Sequence, residues 1–337
     1  MSETLEHPIK EVDSKLEVFS FGDPESVLDA GTLSEYFQSL NMGKWYETPI
    51  SMEGLSRALR SSPHHSSSIY VKRNILASTF KPHKLLSQHD FNAWALDYLV
   101  LGNGYLERRK NVFGKSLAMK HSLGKYTRRG SQDMNRYVFL KSFGEEHWFD
   151  SGKVFHLREP DINQEVYGVP EYISALQSAL LNENATLFRR RYYKNGSHAG
   201  YILYMTDTSH KADDVEALRE AVKKSKGPGN FRNLFMYAPG GTENGIKVIP
   251  LSEATAKDEF LNIKRVSMQD ILAAHRMPAQ LIGVMPEVAG GFGAIKPVTQ
   301  VFIRNELKPL QTRFAELNEW LGEEVVRFEN YELDTTE

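Results

Sequence analysis

The chain has 337 residues, 41% hydrophobic and 25% charged, the make-up of an ordinary folded protein with material for one large core or two modest ones. It carries no cysteine, which excludes a disulfide framework, and no apolar leader, so assembly in a reducing cytoplasm is expected. Lysine and arginine number 41 against 43 aspartates and glutamates, and a net charge of −2 lacks the excess basicity of proteins that grip nucleic-acid phosphates.

Residues 1 to about 20 are polar without apolar periodicity and are expected to form a mobile tail. Ser51 followed by Leu55, Ala58 and Leu59 predicts a short capped helix, and the alternation from Ile69 to Phe80 predicts a strand. His64 and His65 have no further ligand at metal-binding spacing and read as polar surface. Ser87 with Asp90 has the form of a capping box, and Phe91, Trp94, Ala95, Tyr98 and Leu99 fall at helical spacing before Gly102 ends the turn. From Tyr105 to Leu157 short strand signals alternate with Gly, Asn and Ser. This half reads as an α+β domain with an aromatic core.

A long helix is predicted within Val166 to Ile202, with Pro170 in its first turn and Asn195-Gly196 as a left-handed stop. Roughly 25 residues would make a rod of about 37 Å. Tyr201 to Met205 predicts a strand and Asp213 to Lys224 an amphipathic helix, while Leu234 to Tyr237 and Ile246 to Leu251 predict a hairpin around a Gly-Gly-Thr-Glu-Asn-Gly turn. A second long helix runs from Glu253 to His275 and ends at Met277-Pro278. After the glycine-rich run Met285 to Ala294, a last helix is predicted from Pro297 to Leu321, kinked at Pro309 and stopped by Gly322, then a short strand from Val325 to Phe328. The sum is a helical hairpin with a small head.

Sequence signatures of catalysis fail on inspection. In Gly240 to Lys247, Ile246 stands where a phosphate-loop lysine should follow glycine, and no Ser or Thr follows Lys247. Gly102 to Glu107 lacks the third glycine of a dinucleotide loop, and Ser197 with His198 lacks the glycine spacing of a nucleophile elbow. No catalytic residue, cofactor, metal site or membrane contact is expected. A nuclease or ATPase would need the missing phosphate loop or carboxylate cluster, and a monomeric adaptor using the hairpin as a docking arm is the other alternative.

Seven strings occur in an order that carries a likeness: VKRNILASTF (Val71 to Phe80), GNGYLE (Gly102 to Glu107), KYTRRG (Lys125 to Gly130), VFHLREPDINQEVYGVPEY (Val154 to Tyr172), TLFRRRYYKNGSHAGYI (Thr186 to Ile202), GIKVIPLSE (Gly245 to Glu253) and VFIRNELKPLQ (Val301 to Gln311). Over about Phe19 to Asp334 the chain resembles the portal proteins of contractile-tailed temperate bacteriophages, the PBSX-type portal family. The resemblance implies a ring of about twelve copies at one vertex of the virion head, built in the host cytoplasm, through which double-stranded DNA is packaged and ejected. It implies an α+β portal fold: a tail (1–20), a wing (21–165), stem helix 1 (166–200), a clip (201–252), stem helix 2 (253–283), a tunnel loop (284–295), and a wing closing helix and strand (296–337) with little or no crown. Implied partners are the terminase large subunit, major capsid and scaffolding proteins, and the head-completion or neck protein. A near-neutral chain is compatible with such a conduit, because each phosphate contact would be a well the moving duplex must climb from.

Three sets of residues are candidates for this work. By position the resemblance makes Val288, Ala289, Gly290, Gly291, Phe292, Gly293 and Ala294 the tunnel loop, although the residues alone favour a flexible connector. Without Lys or Arg, that loop would touch DNA sterically or through its backbone. Arg189, Arg190, Arg191 and Lys194 form the densest basic cluster, open both to pairing with Asp258 and Glu259 on the returning helix and to DNA contact. Glu216, Arg219, Glu220, Lys223 and Lys224 lie on the polar side of the clip helix, as a docking surface for motor and neck or as a solvated face.

Overall fold

The computed structural model describes residues 39–141, 144–194, 201–205, 234–237, 246–250, 254–284 and 295–332, and within them helices and three small sheets form an α+β fold. Helix α1 (Met52–Ala58) is capped by Ser51, whose Oγ accepts from the Gly54 N–H at 3.1 Å. The next element corrects the expected strand: α2 is a helix over Pro63–Thr79. Pro63 suits its first turn, and the buried side chains His65, Ser68, Ile69, Lys72, Ile75, Leu76 and Thr79 recur at helical spacing. Because several of them are polar, the helical face does not read as apolar in the sequence.

Helix α3 (Gln88–Leu101) begins at Ser87, which accepts from the Asp90 N–H, and ends where Gly102 takes φ 68°. Strand β1 (Trp45–Tyr46) joins β4 (Thr127–Gly130), β5 (Tyr137–Leu140) and β6 (Glu146–Trp148) in an antiparallel sheet of order β1-β4-β5-β6. Strands β2 (Asn103–Glu107), β3 (Lys120–Ser122) and β7 (Val154–Arg158) form a second antiparallel sheet, ordered β3-β2-β7.

The main core is closed by the far end of the chain. Helix α6 (Ile295–Phe302) passes through a π turn (Ile303–Leu307) into α7 (Lys308–Leu321), where Gly322 stops it with φ 75°. The Lys308 N–H reaches back five residues to the Ile303 carbonyl, and this wider turn absorbs the donor that Pro309 removes. Phe314 packs edge-on to Trp94 at 4.5 Å between centroids, and Phe80 stacks on Phe91 at 3.9 Å. The expected strand from Val325 to Phe328 is reduced to a single bridge, Phe80 to Phe328. The Asn318 amide stands in for a strand partner, accepting from the Val325 and Val326 N–H groups and donating to the Val326 carbonyl.

The first long helix, α4, covers Leu176–Lys194, 19 residues or about 28 Å, shorter than the sequence predicts. Val166 to Pro170 and Tyr172 are buried outside the helix, and a 3-10 turn (Ile173–Ala175) follows before α4. Asn103 accounts for the delay: its Oδ1 accepts from the Gly168 N–H and its Nδ2 donates to the Gly168 carbonyl, both at 2.8 Å, which withdraws that backbone from helix hydrogen bonding. The returning helix, α5, spans Ala254–Ala274.

Between these helices along the chain stand β8 (Tyr201–Met205), β9 (Leu234–Tyr237) and β10 (Ile246–Pro250). The predicted hairpin of the last two is not formed. Strand β8 lies between them, antiparallel to β10 and parallel to β9. A parallel pair cannot be closed by a tight turn, and residues 206–233 provide the crossover length.

Candidate functional site at the root of the long helix pair

Helices α4 and α5 run antiparallel and are held by a polar ladder. Ser178 Oγ donates to Asp270 Oδ2 at 3.1 Å, Asn182 Nδ2 donates to Ser267 Oγ at 2.9 Å, and Lys264 Nζ donates to Thr186 Oγ1 at 2.7 Å. The α4 members recur every four residues, so they share one face. Asn182 and Ser267 are fully buried, and Ser62 Oγ, at the start of α2, donates to Asn182 Oδ1 at 3.3 Å. Leu176, Ala179, Leu180, Ile271 and Leu272 supply the apolar part of the pair.

At the foot of the pair the chain leaves α5 through Arg276, which has φ 49°, the one positive value among described non-glycine residues. The Arg276 N–H bonds the Ala273 carbonyl and the Met277 N–H bonds the Leu272 carbonyl, the pattern of a Schellman cap that usually carries glycine. An arginine stands there because its side chain is used. Arg276 Nε donates to Glu306 Oε1 at 2.6 Å, and its other nitrogen pairs with Glu171 ahead of α4. Glu306, on the π turn, also accepts from Lys72 Nζ at 2.7 Å, and this pair is only 5% and 7% exposed. Nearby, Arg313 pairs with Glu159 and donates to Tyr98 Oη at 2.6 Å. Burial raises the Glu159 carboxyl even though Tyr98 and Arg313 bond it. The ends of both long helices are thereby tied to α2 and to the closing helix.

Two histidines complete the root. Contrary to the surface role expected of it, His65 is fully buried, with Nδ1 2.9 Å from His275 Nε2, while His64 is half-buried. Tyr172 stacks on His275 and meets His65 edge-on. Burial lowers His65 to about 4 and His275 to about 2, with His65, Lys72 and Arg276 lowering the latter further. Both imidazoles are therefore neutral in the fold, whereas the unfolded chain takes up protons below its ordinary value of 6.5. Stability is present above that value and is lost as pH falls toward 4, by about 3 kcal/mol from His65 alone. Urea unfolding of wild type and His65→Asn at pH 7 and pH 4.5 checks this: the wild type should lose more stability than the variant, and equal losses would contradict it.

Most residues picked out in the sequence lie elsewhere. Val288 to Ala294 and Glu216, Arg219, Glu220, Lys223 and Lys224 lie outside the described residues, as do the Asn195-Gly196 stop, the helix predicted from Asp213 to Lys224 and residues 1–38. Arg191 and Lys194 fall in α4, and Asp258 and Glu259 in α5, with their side chains outside the described set. Arg190 is exposed, and Arg189 is close enough to Lys264 to add to burial in lowering that lysine. The ion and histidine cluster at the root was not anticipated, since its members come from five separated stretches. Among the described residues no group of three His, Asp or Glu is placed to hold a metal ion, and no helix is long and apolar enough to cross a membrane.

Comparison with known proteins is consistent along the chain. The model of the family described as "Phage portal protein" matches residues 67–336. A protein described as "Probable portal protein" of Escherichia phage P2 is 56% identical over 95% of this chain and 93% of its own length. One with the same description from Haemophilus phage HP1 is 35% identical over 80% of each. Among solved structures, the neck of a native gene transfer agent particle computed with C12 symmetry has a TM-score of 0.60 at 17% identity, over 84% of this chain and 86% of that one. An HK97-family phage portal protein from Corynebacterium diphtheriae has a TM-score of 0.57 at 15% identity, over 81% and 94%.

Proposed function

The chain belongs to the phage portal protein family, and from that membership we propose how its parts divide the work of a DNA channel at the head vertex. The observation that carries the reading is the 56% identity across 95% of the chain. Portal proteins form a ring in the virion through which DNA is packaged, and the family is structural. Our further reading is that twelve copies assemble in the host cytoplasm, that the chain itself catalyses nothing, and that it meets the terminase large subunit, the major capsid and scaffolding proteins and then a neck protein.

In this reading residues 21–165 with 296–337 are the wing, 166–200 and 253–283 the stem, 201–252 the clip and 284–295 the tunnel loop. The helix pair supports a stem, because Leu181, Leu187, Leu261 and Val266 leave large apolar side chains exposed on it, as surfaces covered by adjacent subunits would. Continuing the ladder, which advances four residues along α4 for three along α5, sets position 258 across from 194 at the end of the basic cluster, which favours pairing of that cluster with Asp258 and Glu259 over contact with the duplex. The charged clip residues Glu216 to Lys224 are assigned to motor and neck docking.

Electron micrographs of the purified protein test the ring directly, and monomers at every concentration would refute it. Deleting Val288 to Ala294 is expected to leave ring mass unchanged and to impair packaging severely. A deleted ring that packages normal yields of full-length genome would remove the tunnel-loop assignment.

A further inference from the structure

A cleft of about 190 Å³ is lined by Arg129, Asn135, Tyr137, His156, Arg158 and Trp320 among others, and nothing assigned above uses these groups. It brings together β4, β5, β7 and the end of α7. Its two guanidiniums are held from behind by carbonyls: Arg129 Nε donates to Met134 at 2.7 Å, and Arg158 donates to Glu165. Neither has a carboxylate within ion-pair distance among the described residues, although Glu316 is near enough to feel Arg158. Both act on the same two groups, easing the Tyr137 hydroxyl that burial raises and adding to the burial that pushes His156 well down.

Behind the cleft wall at His156 lies an unfinished hydrogen-bond set. Asn103 Nδ2 donates to two carbonyls, so its Oδ1 is the atom facing His156 Nε2 at 2.9 Å, and the imidazole proton sits on Nε2. His156 Nδ1 is buried without a partner. The hydroxyl of fully buried Tyr105, whose ring stacks on His156 at 4.2 Å, is unpartnered too. Of the two, the Tyr105 hydroxyl is the group that can donate to an anion, since His156 Nδ1, with its proton on Nε2, is itself an acceptor.

We propose that this cleft is a binding site for a carboxylate, taken between the Arg129 and Arg158 guanidiniums with its carbon stem against Trp320. A planar carboxylate matches the guanidinium fork, and the aromatic wall of Trp320 and Phe155 suits the methylenes of an acidic side chain or a short organic acid. A duplex phosphate does not fit, since a 190 Å³ recess is far narrower than a DNA helix.

The test uses the full-length assembled protein and acetate as probe, titrated against chloride at constant ionic strength and followed by tryptophan fluorescence. Expected is a saturable change that disappears in Trp320→Phe and whose midpoint rises about tenfold in Arg158→Gln, as for loss of a charge-assisted hydrogen bond. Arg129→Gln serves as the second variant. If a carboxylate from a neighbouring subunit already fills the cleft, acetate is silent, and Arg158→Gln instead makes the assembly dissociate at about tenfold higher protein concentration by native mass spectrometry. Silence in both arms overturns the proposal. So does tighter binding of inorganic phosphate than of acetate, or an equal response to chloride.

Discussion

Replacing Glu306 with alanine should cost about 3–5 kcal/mol, because it strands a lysine inside the protein. Lys72 is 5% exposed and its ammonium has Glu306 as its carboxylate partner, so it cannot turn to water when that partner is removed. Arg276, the other partner, is half-exposed and can rehydrate. The loss therefore belongs mainly to the lysine. It is large against a total stability of about 5–15 kcal/mol for a typical domain. The double variant Lys72→Met with Glu306→Leu should recover most of it, since two apolar side chains of similar size leave no buried charge. Urea unfolding of the single and double variants checks this; a double variant as unstable as Glu306→Ala would show that the lysine is not the source.

Gly168→Ala is the second large expected effect. A Cβ there would lie 2.1 Å from the Gly102 carbonyl oxygen and 2.4 Å from the Glu159 nitrogen, both backbone atoms that cannot swing aside. Making room must break the Glu159 to Gly102 hydrogen bond at 2.8 Å and loosen the Asn103 clamp. Lost buried hydrogen bonds at about 1–3 kcal/mol each put the cost at about 3 kcal/mol or more. Gly152 is the control: it has a positive φ of 67°, which Gly168 does not, but nothing lies within 4 Å of its would-be Cβ, so Gly152→Ala should cost only about 1–2 kcal/mol. Hydrogen exchange should show protection lost at residues 102, 159 and 168 in Gly168→Ala alone. Equal thermal shifts for the two variants would contradict the steric account.

Helix boundaries written by neighbouring residues were legible in the sequence. Ser51, Ser87, Gly102 and Gly322 all act where they were read, because a cap depends on atoms within a turn. Helix α2 was not legible, since its buried face carries Ser62, His65 and Lys72, whose partners Asn182, His275 and Glu306 lie 120 to 234 positions away. The start of α4 was set back for the same kind of reason, by an asparagine 65 positions upstream. The strand order β10-β8-β9 could not be read from turn residues either, because a glycine-rich turn is compatible with pairing to either neighbour. Of the candidate site, the long helix pair was read from the proline and glycine signals at its ends, whereas the root that anchors it depends on charges no local pattern connects.

The polar ladder between α4 and α5 has a mechanical consequence. Asn182 faces Ser267; a slip of the helices by one turn, about 5.4 Å, would face it instead with Ile271 or Ile263, depending on direction. Either displacement takes Ser267 away from the buried Asn182 Nδ2, leaving that amide its Ser62 contact, and parts Lys264 from Thr186 at the same moment. The pair therefore resists axial load as a single strut that cannot telescope. Any stroke it makes must come from tilting at its base, where Arg276 and the neighbouring ion pairs act as the bearing.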